Sequence, residues 1–536
     1  MFKYLCCITR KFNLMKIQKI VLFSALACFT MIANYSCQQN EKTNASVKIN
    51  RPNILFIPVD DLRPDLGAYG SNVVKSPNID ALASNGLTFD RAYTQQAVCN
   101  PSRASLLTGL RPDSTQVWDL RTAFRDYLPD IVTLPQFFKN NGYYTVGMGK
   151  TFHNTIQDSI SWNEYVHVDG FPFDPDAVYL NQDNLIIQKE RELNQVKRGT
   201  AKFDKYGFIY TKAKSIEMAD DHDDAYYDGA QTTMAIKKMR ELKDKDEPFF
   251  LSVGFYKPHL PFNAPKKYWD LYNAEDIPLA TNQFPPKDSP EFAVHGDAEM
   301  RFYPDRNDLP KPHEGPYDEK QQRELLHAYY ACVSYIDAQV GRLMGELERL
   351  GLKENTIVVL WGDHGWKLGE HNSWGKQTNY EIDTRVPLII SGQHVEAKGE
   401  TTKALTEFVD VYPTLLDMAG FEVPKHLQGK SLKPILADAG TSIKDAAYSQ
   451  FLLGRFGPLE DRKVERMGYT VRTDRYRYVE WYEWKKEEKV NGDFIARELF
   501  DHETDPQENI NIANKPESEN IISQMSEVLN KGFNIK

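Results

Sequence analysis

Cysteine is nearly missing from the body of this chain. Six occur in 536 residues, and Cys6, Cys7, Cys28 and Cys37 fall within the first 37 positions. Only Cys99 and Cys332 remain, which excludes a disulfide-stapled fold and leaves room for one bridge at most. Cys332 argues against that bridge. It sits in a helix-like run whose apolar face reads Tyr329, Val333, Ile336, Val340, Leu343 and Leu347, at spacings of four and three. There it reads as a small buried hydrophobe. Cys99 is then a singular cysteine that needs a chemical reason to exist.

Long apolar runs are lacking as well. The run Ile20 to Ile32 is too short to span a bilayer, and Lys11, Lys16 and Lys19 precede it. Charge followed by an apolar stretch is the layout of an export signal. Ser36-Cys37 comes next, then a polar tail from Gln38 to Lys48. We read 1–37 as a lipoprotein-type signal with lipid attachment at Cys37, and 38–50 as a polar linker. Asn34 and Tyr35 stand where a lipobox usually has an apolar and a small residue. Met15 is an in-frame alternative start. The expected location is the periplasm or outer membrane of a bacterium, with plain secretion as the alternative.

Positive charge is not in excess either. The formal net charge of −10 argues against generic nucleic-acid binding, while a local basic pocket stays compatible with it. No internal repeat and no low-complexity tract follows residue 50. What is present is a globular composition, 41% hydrophobic and 26% charged, in a chain long enough for a large domain with an appendage.

Short buried strands are expected at Ile54–Val59, Leu87–Tyr93, Tyr143–Met148, Phe249–Val253, Thr356–Leu360 and Val386–Ile390. Helices alternate with them: Asn78 to Gly86, Pro101 to Gly109, Leu134 to Asn140, Thr232 to Leu242, a long one ending at Leu350-Gly351, and Phe408 to Ala419. Residues 155–225 are less regular and read as an insertion over one face. The segment Pro261 to Glu319 is too long for a connector and reads as a substrate-side loop region. This alternation predicts an α/β fold with a large, mostly parallel sheet sandwiched by helices, over 51–440. After about residue 440 the pattern changes to aromatic strands at Tyr469–Trp484, turning at Thr473-Asp474, then Glu498–Asp501 and a final helix from about Glu517. Residues 441–536 read as a smaller C-terminal α+β subdomain.

Five chemically suggestive groups follow strands: Asp60-Asp61, Cys99, Lys150 with His153, His259, and Asp363-His364. In parallel sheets ligands collect at the carboxyl ends of the strands, so these groups are expected at one edge. Three carboxylates near one point repel each other unless a cation intervenes, and oxygen-rich ligation suits Ca²⁺ or Mg²⁺.

The stretch Cys99-Asn100-Pro101-Ser102-Arg103, with Leu107-Thr108-Gly109-Leu110-Arg111 behind it, resembles the sulfatase signature C-x-P-S-R followed by L-T-G-x-R. Val59 to Gly70, Gly149 to His153, Lys257 to Phe262 and Gly362 to His371 are similar to the iduronate-2-sulfatase branch of that family, and Glu498 to Asn509 to sulfatase C-termini. The resemblance implies an alkaline-phosphatase-like fold and a sulfuric ester hydrolase. It implies that a maturation enzyme oxidises Cys99 to formylglycine (3-oxoalanine), whose hydrate attacks sulfur. It implies that Asp60, Asp61, Asp363 and His364 hold the metal, Ca²⁺ with Mg²⁺ as the alternative, together with an oxygen of the modified Cys99. Arg103 would brace the formylglycine. Lys150, Lys376 and His259 would contact the sulfate, His259 acting as general acid, and His153 would bond a hydroxyl of the hydrate. Nitrogen is a poor donor for hard Ca²⁺, and many sulfatases have Asn where His364 stands. Glu370 and His371 are expected to support the site, and Trp481, Tyr482 and Trp484 to pack the small subdomain rather than stack on sugars.

The substrate implied is a sulfated oligo- or polysaccharide bearing a 2-O-sulfated uronic acid or similar sugar. Two other readings stay open. One is a phosphomonoester or phosphonate hydrolase of the same superfamily, most of which use threonine or serine in place of Cys99. The other is an anchored glycan-binding protein without catalysis.

Overall fold

Apolar residues that alternate between the two faces of a sheet build the centre of the molecule. In β1 (Asn53–Val59), Leu55, Ile57 and Val59 point to one face of the sheet and Ile54 and Phe56 to the other, all fully buried. A strand buried on both faces needs cover on both, and helices supply it. A computed structural model describes residues 51–154, 156–171, 178–201, 211–294, 298–454 and 465–533. The expected signal, the lipid site at Cys37 and the linker 38–50 lie outside the described residues.

The main sheet adds β2 (Gly86–Phe89), β3 (Tyr144–Gly149), β4 (Glu164–Val166), β5 (Phe249–Gly254), β6 (Thr356–Gly362), β7 (Leu388–Ser391) and β8 (Thr401–Thr402). Their spatial order is β8-β2-β7-β6-β1-β5-β3-β4. Every adjacent pair is parallel except the two that involve β7, which runs antiparallel to β2 and β6. The expected α/β sandwich with a mostly parallel sheet is what forms.

The helices that cover this sheet include α1 (Pro77–Ser84), α2 (Cys99–Thr108), α4 (Tyr227–Lys243), α5 (Glu319–Arg349) and α6 (Val411–Met418), while α3 (Gln182–Lys197) is largely exposed. α5 buries Leu325, Tyr329, Val333, Ile336 and Val340 against the Leu55 face. α2 and α6 bury Leu106, Leu107, Val411 and Leu415 against the Phe56 face. Each such side chain contributes about 1.5–3 kcal/mol of burial. Cys332 is fully buried on α5 and both body cysteines are free thiols.

Several elements differ from their expected form. Leu87–Tyr93 is two strands, β2 and the short Ala92–Tyr93, which pairs with Arg385–Val386 in a separate three-stranded sheet. Val386–Ile390 splits in the same way. Pro387 has no N–H to give a ladder, so the chain changes sheets there. α2 starts at Cys99 rather than at Pro101, since the first turn of a helix has no N–H partners and proline costs nothing in it. Residues 155–225 hold more order than expected, with β4 joining the sheet edge and α3 spanning 16 residues.

The C-terminal part is an antiparallel sheet of β9 (Ala447–Leu453), β10 (Arg466–Arg472), β11 (Tyr476–Lys485) and β12 (Val490–Asp501), backed by α7 (Glu519–Gly532). Tyr469–Trp484 is a hairpin turning at Thr473-Asp474. Trp481 is buried and donates to Glu498 Oε2 at 2.8 Å, and Trp484 meets Trp118 edge-on at 5.1 Å. These aromatics pack the subdomain, as expected. Arg477 reaches out of β11 to Glu381 at 2.6 Å and to Glu508 at 2.6 Å, which ties the small sheet to the main domain. Arg111 of the L-T-G-x-R stretch likewise pairs with buried Glu407, its Nη2 3.0 Å from Oε2.

Candidate active site

Parallel strands deliver their carboxyl ends to one edge, and the chain places its chemistry there. β1 runs into Asp60-Asp61, β6 into Asp363-His364, β3 into Lys150 and β5 into Lys257 and His259. α2 contributes Cys99 and Arg103 from its first turns. All ten expected site residues come together: Asp60, Asp61, Cys99, Arg103, Lys150, His153, His259, Asp363, His364 and Lys376.

Two backbone features hold them. Gly149 has φ +58, and a Cβ there would meet Gly254 O at 2.2 Å, so only glycine lets β3 release Lys150 beside β5. Asp61 itself has φ 55, a left-handed conformation that a non-glycine residue adopts at some cost. Its N–H donates to Asp363 Oδ1 at 3.0 Å and its carbonyl accepts from Tyr329 Oη at 2.7 Å, which keep it there. Tyr329 on α5 was read only as part of an apolar face.

The charges form a closed set. Arg103 is fully buried and donates from Nε to Asp363 Oδ2 at 2.9 Å and from Nη2 to Asp60 Oδ1 at 3.1 Å. Its Nη1 donates to the carbonyls of Lys150 and Thr151. Arg103 therefore braces the carboxylates, where the family pattern would have it brace residue 99. Lys150 pairs with Asp60, and Lys376 Nζ lies 2.6 Å from Asp61 Oδ1 and 3.5 Å from Cys99 Sγ. Ser102 Oγ donates to Asp363 O at 2.6 Å. Arg63 pairs with Glu370 at 2.8 Å, the support expected of that glutamate.

Burial pushes the Asp60 carboxyl up, but Lys150, His259, Arg103 and Lys376 outweigh it and hold it well below the usual carboxylate range. Burial also pushes the Cys99 thiol well up, with Asp60 adding to it against Lys376 and Lys150. As a thiol, Cys99 is protonated and a poor nucleophile at neutral pH.

His364 Nδ1 lies 3.0 Å from Gly365 O, a contact that requires the proton on Nδ1. Its Nε2 lies 3.2 Å from Cys99 Sγ, 3.4 Å from Asp61 Oδ1 and 3.5 Å from Asp363 Oδ1. Asp61 Oδ2 is buried with no hydrogen-bond partner among the described residues. Ligand atoms of Asp60, Asp61, Cys99 and His364 all lie within 4.8 Å of one another. An orphaned carboxylate oxygen beside converging candidate ligand atoms is an arrangement that a divalent cation relieves. The residues fit such an ion.

Cys99 lies at the wall of a cavity of about 630 Å³, which Lys150, His153, His259 and Lys376 also line. His153 Nδ1 is buried and without a hydrogen-bond partner among the described residues. Burial, then Lys150, keeps that ring neutral. Glu299 is the residue that sequence reasoning missed. Its Oε1 lies 2.9 Å from His259 Nε2 and its Oε2 3.5 Å from Lys376 Nζ. It comes from the irregular 261–319 segment, where no periodicity or motif marks it.

The same chain has relatives. A sulfatase family model matches residues 52–421, and a model for the C-terminal part of N-sulphoglucosamine sulphohydrolase matches 369–534. Iduronate 2-sulfatase of Mus musculus is 34% identical, covering 91% of this chain and 94% of its own length. A sulfatase of Formosa agariphila is 29% identical over 93% of this chain and 90% of its own. Among solved structures, a protein in complex with its substrate D-glucosamine-2-N,6-O-disulfate superposes with TM-score 0.69 at 24% identity, covering 90% and 97%. A phosphonate monoester hydrolase of Silicibacter pomeroyi gives TM-score 0.68 at 21% identity, covering 90% and 95%. Those two establish a shared alkaline-phosphatase-like fold and leave the chemistry to the site. Family match, identity over nearly the whole length and the gathered Cys99 site agree: this chain belongs to the sulfatase family and is a sulfuric ester hydrolase.

Proposed function

We propose that this sulfatase is exported and lipid-anchored in a bacterium and releases sulfate from a sulfated carbohydrate, a 2-O-sulfated uronic acid or similar sugar. The observation that carries the reading is the seat of Cys99. A protonated, buried thiol lies against a cation-fitting cluster and lysines at the wall of a cavity large enough for a sugar. The similarity to iduronate 2-sulfatases over nearly the whole length supports the choice of sugar. Phe302 lines the same cavity and is 64% exposed, an apolar face of the kind pyranose rings pack on.

A formylglycine made from Cys99 by a maturation enzyme would supply the nucleophilic oxygen that the thiol cannot. A divalent cation, Ca²⁺ with Mg²⁺ as the alternative, would be held by Asp60, Asp61, Asp363 and His364 and would supply positive charge for the sulfate oxygens. Lys150 and Lys376, now paired with Asp60 and Asp61, are placed to hold the sulfate oxygens electrostatically. His259 is the acid. Burial lowers its pKa, but Glu299 and Asp61 outweigh that and raise it to about 9, so the ring carries its proton at neutral pH. It gives that proton to the departing sugar oxygen. Neutral His153 is the group that accepts a proton.

A pH profile checks the acid. Activity requires protonated His259, so kcat/KM is expected to fall as pH rises through about 9. Glu299→Gln removes the nearest negative charge and should move that alkaline limb to lower pH. An unmoved limb in this variant would exclude His259 as the proton donor.

Substrate profiling tests the function. Protein matured in a host with formylglycine machinery is assayed on an aryl sulfate, an aryl phosphate and defined sulfated oligosaccharides, after chelation and with Ca²⁺ or Mg²⁺ added back. Sulfate release from the aryl ester and from 2-O-sulfated uronate, read by product mass and NMR position, is the expected result. Preference for the phosphate would favour a phosphomonoester or phosphonate hydrolase. Tight glycan binding without turnover would favour a glycan-binding protein.

A further inference from the structure

The cavity carries more positive charge than one sulfate uses. Besides Lys150 and Lys376, its wall holds Arg121, Arg191 and Lys212, and Glu299 is the one carboxylate among its described lining residues. This occurs in a chain of net charge −10, so the local sign is opposite to the global one. Lys150, Lys376, His259 and Glu299 already balance one another and the aspartates. The two arginines are different. Arg191 projects from α3, and its Nε is buried with no hydrogen-bond partner among the described residues. The Arg121 guanidinium has no acidic partner among the described residues either. Lys212 lies over the Tyr303 ring at 4.6 Å.

A buried guanidinium nitrogen left without an acceptor is costly, and such forks match planar carboxylates and sulfates. Surface arginines of soluble proteins usually find a carboxylate or open water. Here the buried Arg191 Nε and the exposed Arg121 side chain both line the cavity at whose wall Cys99 lies. We infer that Arg121 and Arg191 form a second anion subsite, one that takes a further carboxylate or sulfate on the substrate while the first sulfate reacts at residue 99. This rests on the sulfatase reading and narrows it to polyanionic sugars. α3 and Arg121 belong to segments outside the strand-end motifs, so the subsite is a specificity device added to a common catalytic floor.

The test compares four substrates in the wild type and in Arg191→Gln, Arg121→Gln and the double variant. They are an aryl sulfate, a 2-O-sulfated uronate disaccharide, its carboxyl-reduced form, and that reduced form carrying a second sulfate. Wild-type kcat/KM should be highest on the two dianionic disaccharides. The double variant should lose about tenfold to hundredfold on those, mainly through KM, the loss of one or two charge-assisted contacts. The aryl sulfate and the carboxyl-reduced monosulfate should change little, and Arg191→Lys should recover part of the loss. Whether the carboxylate or the second sulfate shows the larger effect identifies the natural anion. Equal kcat/KM of the wild type on the disaccharide and its carboxyl-reduced form, with no gain from the second sulfate, would overturn the subsite. So would equal losses on all four substrates. Failure of the wild type on the aryl sulfate itself would instead strike the sulfatase reading, so the two failures are distinct.

Discussion

Cys99→Ala is expected to lower sulfate ester hydrolysis by about 10⁴-fold or more, the order that follows when the nucleophile is taken from residues that act as a unit. The fold should survive. Cys99 is 2% exposed, and the change removes one sulfur atom from the start of α2. A deletion of that size costs about 1 kcal/mol, well below the loss of a whole leucine side chain. None of the buried ion pairs around it loses a partner, because Arg103, Lys150 and Lys376 are tied to the aspartates. The measurement is turnover of an aryl sulfate beside a thermal melt and a peptide mass spectrum. In the wild type from a competent host, the peptide around residue 99 should carry the mass of the aldehyde. An unaltered thiol in fully active protein, or retained turnover in the variant, would end the formylglycine proposal.

Arg103→Ala should do the opposite kind of damage and lose stability first. The guanidinium is fully buried and serves Asp60, Asp363 and two backbone carbonyls at once. Removing one partner of a buried ionic set leaves uncompensated charge and costs about 3–5 kcal/mol. Lysine does not rescue it. A single ammonium cannot span two carboxylates on different strands and two carbonyls on a third, whereas the planar fork does. Arg103→Ala and Arg103→Lys should therefore both unfold at lower denaturant than Cys99→Ala, and both should be inactive because Asp60 and Asp363 lose their positions. A denaturation midpoint for Arg103→Ala equal to that of the wild type would show that the carboxylates are held by something else.

Much of the catalytic edge was legible from local pattern. Ile54–Val59 and Thr356–Leu360 read as buried strands because continuous apolar runs of that length fit a sheet covered on both faces, and the aspartates stand directly behind them. Cys332 was legible as core because the helical spacing around it is unbroken. Other things were not legible. Tyr329 looked like one more apolar position, yet its hydroxyl fixes Asp61 in a left-handed turn. Glu299 lies in the 261–319 segment, which reads as a substrate-side loop, but no motif there singles it out, and Arg191 lies in α3, within 155–225, where the sequence pattern marks no regular element. The break of Val386–Ile390 between two sheets was visible in hindsight as Pro387, a residue that cannot continue a ladder.

By itself, the amino-acid sequence determined which chemical groups exist and that they gather at one edge, since strand period and parallel crossovers are local rules with a fixed geometric outcome. Only the tertiary structure decided which charge meets which. Lys376 finds Asp61 across 315 positions, Arg103 finds Asp363 across 260, and the Arg191 Nε is left without a hydrogen-bond partner among the described residues. The reason is that Coulomb energy depends on distance through space and on how much water has been driven out, and neither quantity is written in the neighbours along a chain.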